Sequence, residues 1–319
     1  MKTNPLVAIV VLSWNQLQLT LACLESLQGL EYPDYRVLLV DNASTDGTPQ
    51  AVRERYPQVA IIENRENLGY AEGNNVGIRR ALEDGADYVL VLNNDTLVAP
   101  DLLSELVRVA AADSGVGLVG PTIYYADPPD MVFALGSRIR WAAGTIRHRG
   151  MFQPASQVPG LTAPEPVDFL PGTAVLMSRQ CLERVGLFDP AYFLNFEDVE
   201  LCVRAGRHGF RVLFAPQAVI WHRVSATLGL ASPANTYYMT RNALRFFWGN
   251  APPGVRCVSV ACILLRTLRT VSAWSLKSQY KTDLFRRKRD ANLLALRDFF
   301  LGRFGKMGPD VARVCYSAE

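Results

Sequence analysis

The residues best suited to chemistry lie in short polar stretches, each placed after an apolar run. VLVLNNDTLV (89–98) ends four apolar residues in Asn93, Asn94 and Asp95. NFEDVELCVRAGRHG (195–209) opens with Glu197 and Asp198 and closes with Arg, His and Gly. That is the charge order of a helix with an acidic first turn, and His208 reads as its C-terminal residue. Asp41 follows VLLV, and His222 follows AVIW. Gly69, Gly73, Asn74 and Asn75 stand at a passage from strand to helix. Amides and carboxylates in such places have two readings. They complete turns and cap helices, as Asp95-Thr96 can for the helix that Pro100-Asp101 begins. Or they hold a ligand. Glycines let a backbone come close to a nucleotide, and helix N-termini suit phosphate.

The surrounding elements favour the second reading. Strand-like runs at 7–12, 37–40, 59–62, 88–92 and 116–119 alternate with helix-like runs at 17–27, 48–56, 71–82 and 101–112. Such alternation predicts an α/β fold, a mostly parallel sheet covered by helices. Ligands of such sheets sit beyond the carboxyl ends of the strands. Polar residues gather at four consecutive ends: Ser13-Trp14-Asn15, DNASTDGT (41–48), ENRENLGYAEGNN (63–75) and the triplet 93–95. Turn chemistry alone rarely fills four in a row. Residues 121–166, rich in Pro, Gly and aromatics, show no period and predict irregular strands and a mobile loop. VDFLPGTAVLMSR (167–179) is strand-like with a Pro-Gly break. Strands are expected at 211–214 and 218–221, and helix from about 235.

Composition narrows the classes. Of 319 residues, 49% are apolar and 20% charged, as in a globular protein of one large domain or a domain with an appendage. A net charge of +3 gives no ground for a nucleic-acid partner. The basic excess lies in the C-terminal segment, where 266–306 holds eleven Lys or Arg against three Asp. Six cysteines without a Cys-x-x-Cys pair give no zinc-ribbon signal. Cys23 and Cys202 read as reduced core residues of a cytosolic protein. Lys2 and the run 7–12 are too short for a secretion signal. The most apolar long stretch, 255–274, is interrupted by Arg256, Arg266 and Arg269, so no membrane-spanning helix is expected.

In order, VLSWN, VLLVDNASTDGT, NLGYAEGNNVGI, VLVLNNDTLV, FLPGTAVLMSR, FEDVELCVRAGRHGF and APQAVIWH resemble the family-2 glycosyltransferases with a GT-A fold. The nearest likeness is to the rhamnosyltransferase-like branch that builds bacterial surface polysaccharides, over about 6–225. The resemblance implies inverting transfer of a sugar from a nucleotide diphosphate-sugar to a hydroxyl of a saccharide or lipid-linked acceptor. The donor would be UDP- or TDP-linked, TDP-rhamnose included. It implies Mg²⁺ or Mn²⁺ at an Asp-x-Asp after the fourth strand. Here that motif is Asn93-Asn94-Asp95, and the amide in place of the first carboxylate puts metal dependence in question. Asp95 and His222 would hold the metal. Asn93 would meet the ribose or a metal-bound water, Asn94 would belong to the same donor site, and Asp41 would meet the base. Ser13, Asn15, Asn67, Gly69 and Asn75 would complete the donor site. Asp198, with Glu197 beside it, matches the general base that takes the acceptor's proton. The helix N-terminus is expected to keep that carboxylate ionised.

The implied organisation is a glycosyltransferase domain, 1–230, with a nucleotide-binding half to about 120 and an acceptor half after it. A helical, basic, amphipathic extension, 231–319, follows. The enzyme would be cytoplasmic, with peripheral contact to the cytoplasmic face of the membrane through that extension. Two other readings stay open. A nucleotidyltransferase would want a Gly-rich, Lys- or Arg-bearing loop where Ser13-Trp14-Asn15 stands. A non-catalytic nucleotide-sugar-binding protein would account for Asn93.

Overall fold

The computed structural model describes residues 4–158, 160, 162–223 and 232–316. The first half runs β1 (Val7–Ser13), α1 (Leu17–Leu27), β2 (Tyr35–Asp41), α2 (Thr48–Arg55), β3 (Ala60–Glu63), α3 (Gly69–Glu83), β4 (Tyr88–Asn93), β5 (Thr96–Val98), α4 (Leu102–Ala111) and β6 (Val116–Tyr125). β1 is apolar from Val7 to Leu12 because it lies between β2 and β4, parallel to both, with a core on each face. Ala8 and Val10 enter one core; Val7, Ile9 and Val11 enter the other. A strand buried on both sides has no polar face to alternate.

The second half runs β7 (Val132–Ala134), β8 (Ser137–Arg140), β9 (Thr145–His148), β10 (Glu165–Pro166), β11 (Ala174–Ser178), α5 (Arg179–Val185), α6 (Glu197–Arg207) and β12 (Arg211–His222). Then come α7 (Pro233–Asn250), α8 (Pro253–Leu276), α9 (Asp283–Phe300) and α10 (Pro309–Tyr316). The sheet order is β10-β12-β6-β11-β4-β1-β2-β3, with β5 on β12 and β7 on β6. β11 is the antiparallel insert between β4 and β6. It sets the Pro-Gly break before it beside the end of β4.

Some elements differ from the sequence reading. The expected strands 211–214 and 218–221 are one strand, β12. Its register on β6 shifts between Ala215 and Val219, around Pro216, which has no N–H to give a ladder. The Pro216 carbonyl instead accepts from Thr122 Oγ1 at 2.9 Å. β6 runs on past 119 to Tyr125, and the stretch 121–166 holds β7 to β10. The expected boundary at 230–231 lies outside the described residues, as does Lys2. On either side of it the chain shares one core. Leu244, Phe246 and Phe247 of α7 and Val260 and Ile263 of α8 join Val10, Phe169 and Met177. α8, 24 residues of mean hydropathy 1.3 at its most apolar, is long and apolar enough to cross a membrane by length and composition. The isolated arginines do not interrupt the helix.

Candidate active site

β4 ends at Asn93 and β5 begins at Thr96, so Asn94 and Asp95 form the turn between them. The turn is braced by Thr96 Oγ1, which donates to the Asn93 carbonyl at 2.7 Å, and by Asn94 Nδ2, which donates to Thr20 Oγ1 at 2.9 Å. Asp95 caps no helix, since α4 starts at Leu102 behind Asp101. The antiparallel pairing of β5 with β12 sets His222 opposite Thr96. His222 Nε2 consequently lies 3.1 Å from Asp95 Oδ1, and both side chains are about 8% exposed. His222 Nδ1 has no hydrogen-bond partner, and Asp95 Oδ1 has only the His222 imidazole beside it, without the geometry of a hydrogen bond. A buried polar atom left open costs free energy unless a ligand completes it. A carboxylate beside an imidazole fits a hard divalent cation whose other ligands are phosphate oxygens and water. Among the described residues no group of three or more His, Cys, Asp or Glu supplies a closed metal cage.

The acidic pair sits on a strained approach. Phe193, Asn195 and Phe196 take left-handed φ angles of 61°, 67° and 74°. For residues with a Cβ this costs about 1–2 kcal/mol each, so the surroundings must impose it. They do so from α7. Asn242 Nδ2 lies within hydrogen-bond reach of three carbonyl oxygens, those of Tyr192 (2.8 Å), Leu194 (2.7 Å) and Asn195 (3.0 Å). Arg241, 1% exposed, donates to Asn242 Oδ1 at 3.0 Å and stacks over Tyr237 and Tyr238. Arg245 pairs with Asp189 at 2.8 Å.

The loop delivers Glu197 and Asp198 to the first turn of α6. Asp198 Oδ2 accepts from the Gly172 N–H at 2.7 Å, and Oδ1 from the Val199 N–H at 2.8 Å. Glu197 Oε2 is buried without a partner. Burial, reinforced by the neighbouring Asp198 charge, raises the Glu197 pKa well above the usual carboxylate value. Burial raises that of Asp198 too, despite its two N–H donors. The helix N-terminus therefore does not hold the Asp198 pKa at or below the usual carboxylate value. Desolvation outweighs the favourable end of the helix. Tyr70 feels the charges of Glu197, Asp198 and Asp95, so both acidic groups bear on one ring. Burial raises its hydroxyl pKa, and it donates to the Gly172 carbonyl.

The start of α3 is not the open phosphate seat that its glycines suggest. Its first N–H groups are engaged: Gly69 N with Asn67 Oδ1 at 2.8 Å, and Tyr70 N and Ala71 N with the Phe193 carbonyl at 2.7 and 3.3 Å. The close approach that Gly69 permits is to protein. At φ +78° a Cβ there would meet Phe193 O at 2.5 Å. Gly69→Ala is therefore expected to destabilise the fold by about 2–5 kcal/mol, a left-handed alanine plus an overpacked contact. Denaturant titration would measure it, and a change below the error of the method would contradict the contact.

A cavity of about 440 Å³ joins these parts. Asn67, Gly69, Asn93, Asn94, Asp95, Glu197, Asp198 and His222 line it; Ser13, Asn15, Asp41 and Asn75 do not. Ser13 is buried against Thr20, with 3.0 Å between their hydroxyl oxygens. Asn15 Oδ1 accepts from Thr45 N at 2.9 Å, and Asp41 Oδ2 from Ser44 N at 2.8 Å, so both shape the loop after β2. Asp41 Oδ1 is buried and open. Asn75 spends its amide on the Phe188 backbone, accepting at 3.0 Å and donating at 2.9 Å. The wall also holds Trp14, Tyr70, Gly172, Asn195 and His148, which sequence reasoning left out. The Pro-Gly break marked Gly172. Nothing marked His148, whose stretch has no period. His148 Nδ1 lies 2.7 Å from Ser137 Oγ, and burial lowers its pKa to about 4.

Residues 4–243 match the family described as Glycosyltransferase like family 2. The chain is 33% identical over 214 residues to the N-acetylglucosaminyl-diphospho-decaprenol L-rhamnosyltransferase of Mycobacterium tuberculosis, a span of 60% of this chain and 68% of that protein. It is 22% identical over 253 residues to the dTDP-rhamnosyl transferase RfbF of Shigella flexneri, covering 76% and 81%. Its fold is similar to that of the mannosyltransferase PcManGT from Pyrobaculum calidifontis, solved with GDP-Man and Mn²⁺. There the TM-score is 0.60 at 20% identity, covering 95% of this chain and 89% of that one. Since the match runs from ahead of β1 into α7, the chain belongs to the glycosyltransferase like family 2, has the GT-A fold, and is a glycosyltransferase.

Proposed function

We propose that this enzyme moves a sugar, with inversion, from a nucleotide diphosphate-sugar to a hydroxyl of a saccharide or lipid-linked acceptor in cell-surface polysaccharide synthesis. The donor is a UDP- or TDP-sugar, and TDP-rhamnose is the first to test, given the rhamnosyl names of two relatives. One observation carries the reading: a single cavity holds the open Asp95–His222 pair and the buried Glu197–Asp198 pair. Asp95 and His222 hold Mg²⁺ or Mn²⁺. When bound, the cation offsets the charge gathering on the departing diphosphate. Asn67, Asn93 and Asn94 hydrogen-bond the donor, and Asp41, at the end of β2 outside the cavity, is assigned to the base only if the loop it braces opens Oδ1 to it. Ser13, Asn15, Gly69 and Asn75 shape the loops that present those groups. Asp198 takes the acceptor's proton, and its raised pKa makes it a stronger base nearer neutral pH. Glu197, beside it, is the second candidate for the base. The enzyme works at the cytoplasmic face of the membrane, in peripheral contact with it.

A thermal-shift screen of UDP-, TDP- and GDP-sugars with Mn²⁺ tests the donor. Nucleotide release with and without acceptor then tests transfer. A shift by one nucleotide-sugar without acceptor-dependent release would favour the non-catalytic binding reading that Asn93 motivates.

A further inference from the structure

α8 is apolar on the wrong side for a helix of a soluble domain. Its inner face, Ser259, Val260, Ile263 and Thr267, is buried. Its outer face carries Val258, Leu265, Leu268 and Leu276 at 51%, 62%, 48% and 79% exposure. With Ala261 and Ser272 these recur every three or four residues and form one stripe. A contiguous exposed apolar stripe marks an interaction surface.

Its occupant follows from charge. No Asp or Glu stands anywhere between Glu200 and Asp283. Arg269, Lys277 and Lys281, at the stripe's C-terminal end, are exposed. The basic cluster 286–289, by contrast, is largely committed. Arg286 pairs with Asp283, and Arg289 with Asp290 at 2.7 Å. Arg287 donates to the Val314 and Cys315 carbonyls at 2.9 and 2.8 Å. Lys288 sits over the rings of Trp274 and Phe285. A second copy of the chain would set cation against cation across a two-fold axis, with no acid on this helix to pair them. An anionic lipid surface takes both the apolar stripe and the cations.

The inner face says how the helix docks. Ser259 Oγ donates to the Trp141 carbonyl, and Arg266 donates to the carbonyls of Ala143 (3.3 Å) and Gly144 (2.8 Å). These residues form the tip of the β8–β9 hairpin, and Gly144 packs on Ile263. A helix so tied on one side cannot be ringed by lipid, so it lies in the interface and does not span. From that tip, β9 reaches His148 on the cavity wall in four residues, about 13 Å.

We propose that the outer face of α8, with Arg269, Lys277 and Lys281, docks the enzyme on an anionic membrane, and that the β8–β9 hairpin fixes the cavity close above it. The inference rests on the proposed lipid-linked acceptor only for its purpose. The test is cosedimentation of the full chain with vesicles of phosphatidylglycerol and phosphatidylcholine against phosphatidylcholine alone. Binding should need the anionic lipid and weaken with salt. Arg269→Gln, Lys277→Gln and Lys281→Gln together should lower it roughly a hundredfold. Leu265→Ser with Leu268→Ser should lower it about tenfold or more. Arg286→Gln should change it less than about twofold, since that side chain is paired. All of these residues are exposed, and unchanged melting temperatures would confirm the variants fold. Equal binding to both vesicle types, or binding indifferent to both the Gln and the Ser changes, would overturn the proposal. So would a vesicle-free dimer that the Ser pair dissolves. Calorimetric titration of TDP into the same samples separates the readings. Vesicle binding without nucleotide binding would sink the proposed function and leave the docking surface standing.

Discussion

Asp198→Asn is expected to keep donor affinity and lose roughly 10²–10⁴ in turnover, the range for a missing general base. Asparagine keeps the shape, and its single amide oxygen can still accept from Gly172 N–H or from Val199 N–H, but not from both. What it cannot do is take a proton. The pH profile gives a second readout. Burial raises the Asp198 pKa, so activity should fall as pH drops through a value above the ordinary carboxylate range. The variant's residual rate should lack that limb. Should Asp198→Asn turn over normally while Glu197→Gln does not, the base is the neighbouring residue. Glu197→Gln carries its own signature in stability. A carboxyl whose pKa is raised on folding stabilises the fold while protonated, and that contribution is lost as pH rises through the folded-state value. Glutamine does not titrate. The variant should be more stable than the parent near pH 8, by about 1 kcal/mol. The difference should close below about pH 4.

Asp95→Ala should abolish the tightening of UDP or TDP by Mn²⁺, so that affinity with metal equals affinity without it. His222→Ala should weaken the tightening by about 10–100-fold. The asymmetry follows from charge. Asp95 is the carboxylate at the turn after β4, where Asn93 brings none, and the imidazole of His222 is at best a neutral ligand. Calorimetric titration with and without Mn²⁺ reads both. A full metal effect in Asp95→Ala would remove this residue from the site.

The alternation that gives β1 to β4 was legible because it is local. Each strand is a short apolar run and each helix carries its own period. The place of β11 was not, since nothing in AVLMS says that it lies antiparallel between β4 and a strand met fifty residues earlier. β7, β8 and β9 are three or four residues long, too short for any period to show. At the site, the type of each key residue was visible and its partners were not. Asp95, Glu197, Asp198 and His222 could be picked out at element ends. The Gly172 N–H aimed at Asp198 and the Phe193 carbonyl filling the start of α3 arise only when distant loops meet. The same holds for the raised pKa of each member of the acidic pair. An acidic first turn signals a favourable helix end, whereas the burial that overrides it is a property of the assembled core.

The grip of Asn242 on the loop before α6 limits how this chain can be shortened or recombined. A protein ended at 230 contains every strand and both the Asp95–His222 and Glu197–Asp198 pairs, but it loses Leu244, Phe246, Phe247, Val260 and Ile263 from the shared core. It loses the amide that meets the carbonyls of Tyr192, Leu194 and Asn195, and it loses Arg245 from Asp189. The three left-handed residues then have less to hold them, and the carboxylates they deliver are free to swing out of place. Such a fragment is expected to bind nucleotide poorly matched by any turnover. Asn242→Ala in the full chain should show a milder form, with kcat reduced more than donor KM changes. Exchanging the C-terminal helices between relatives to alter membrane attachment would, by the same contacts, exchange part of the catalytic apparatus.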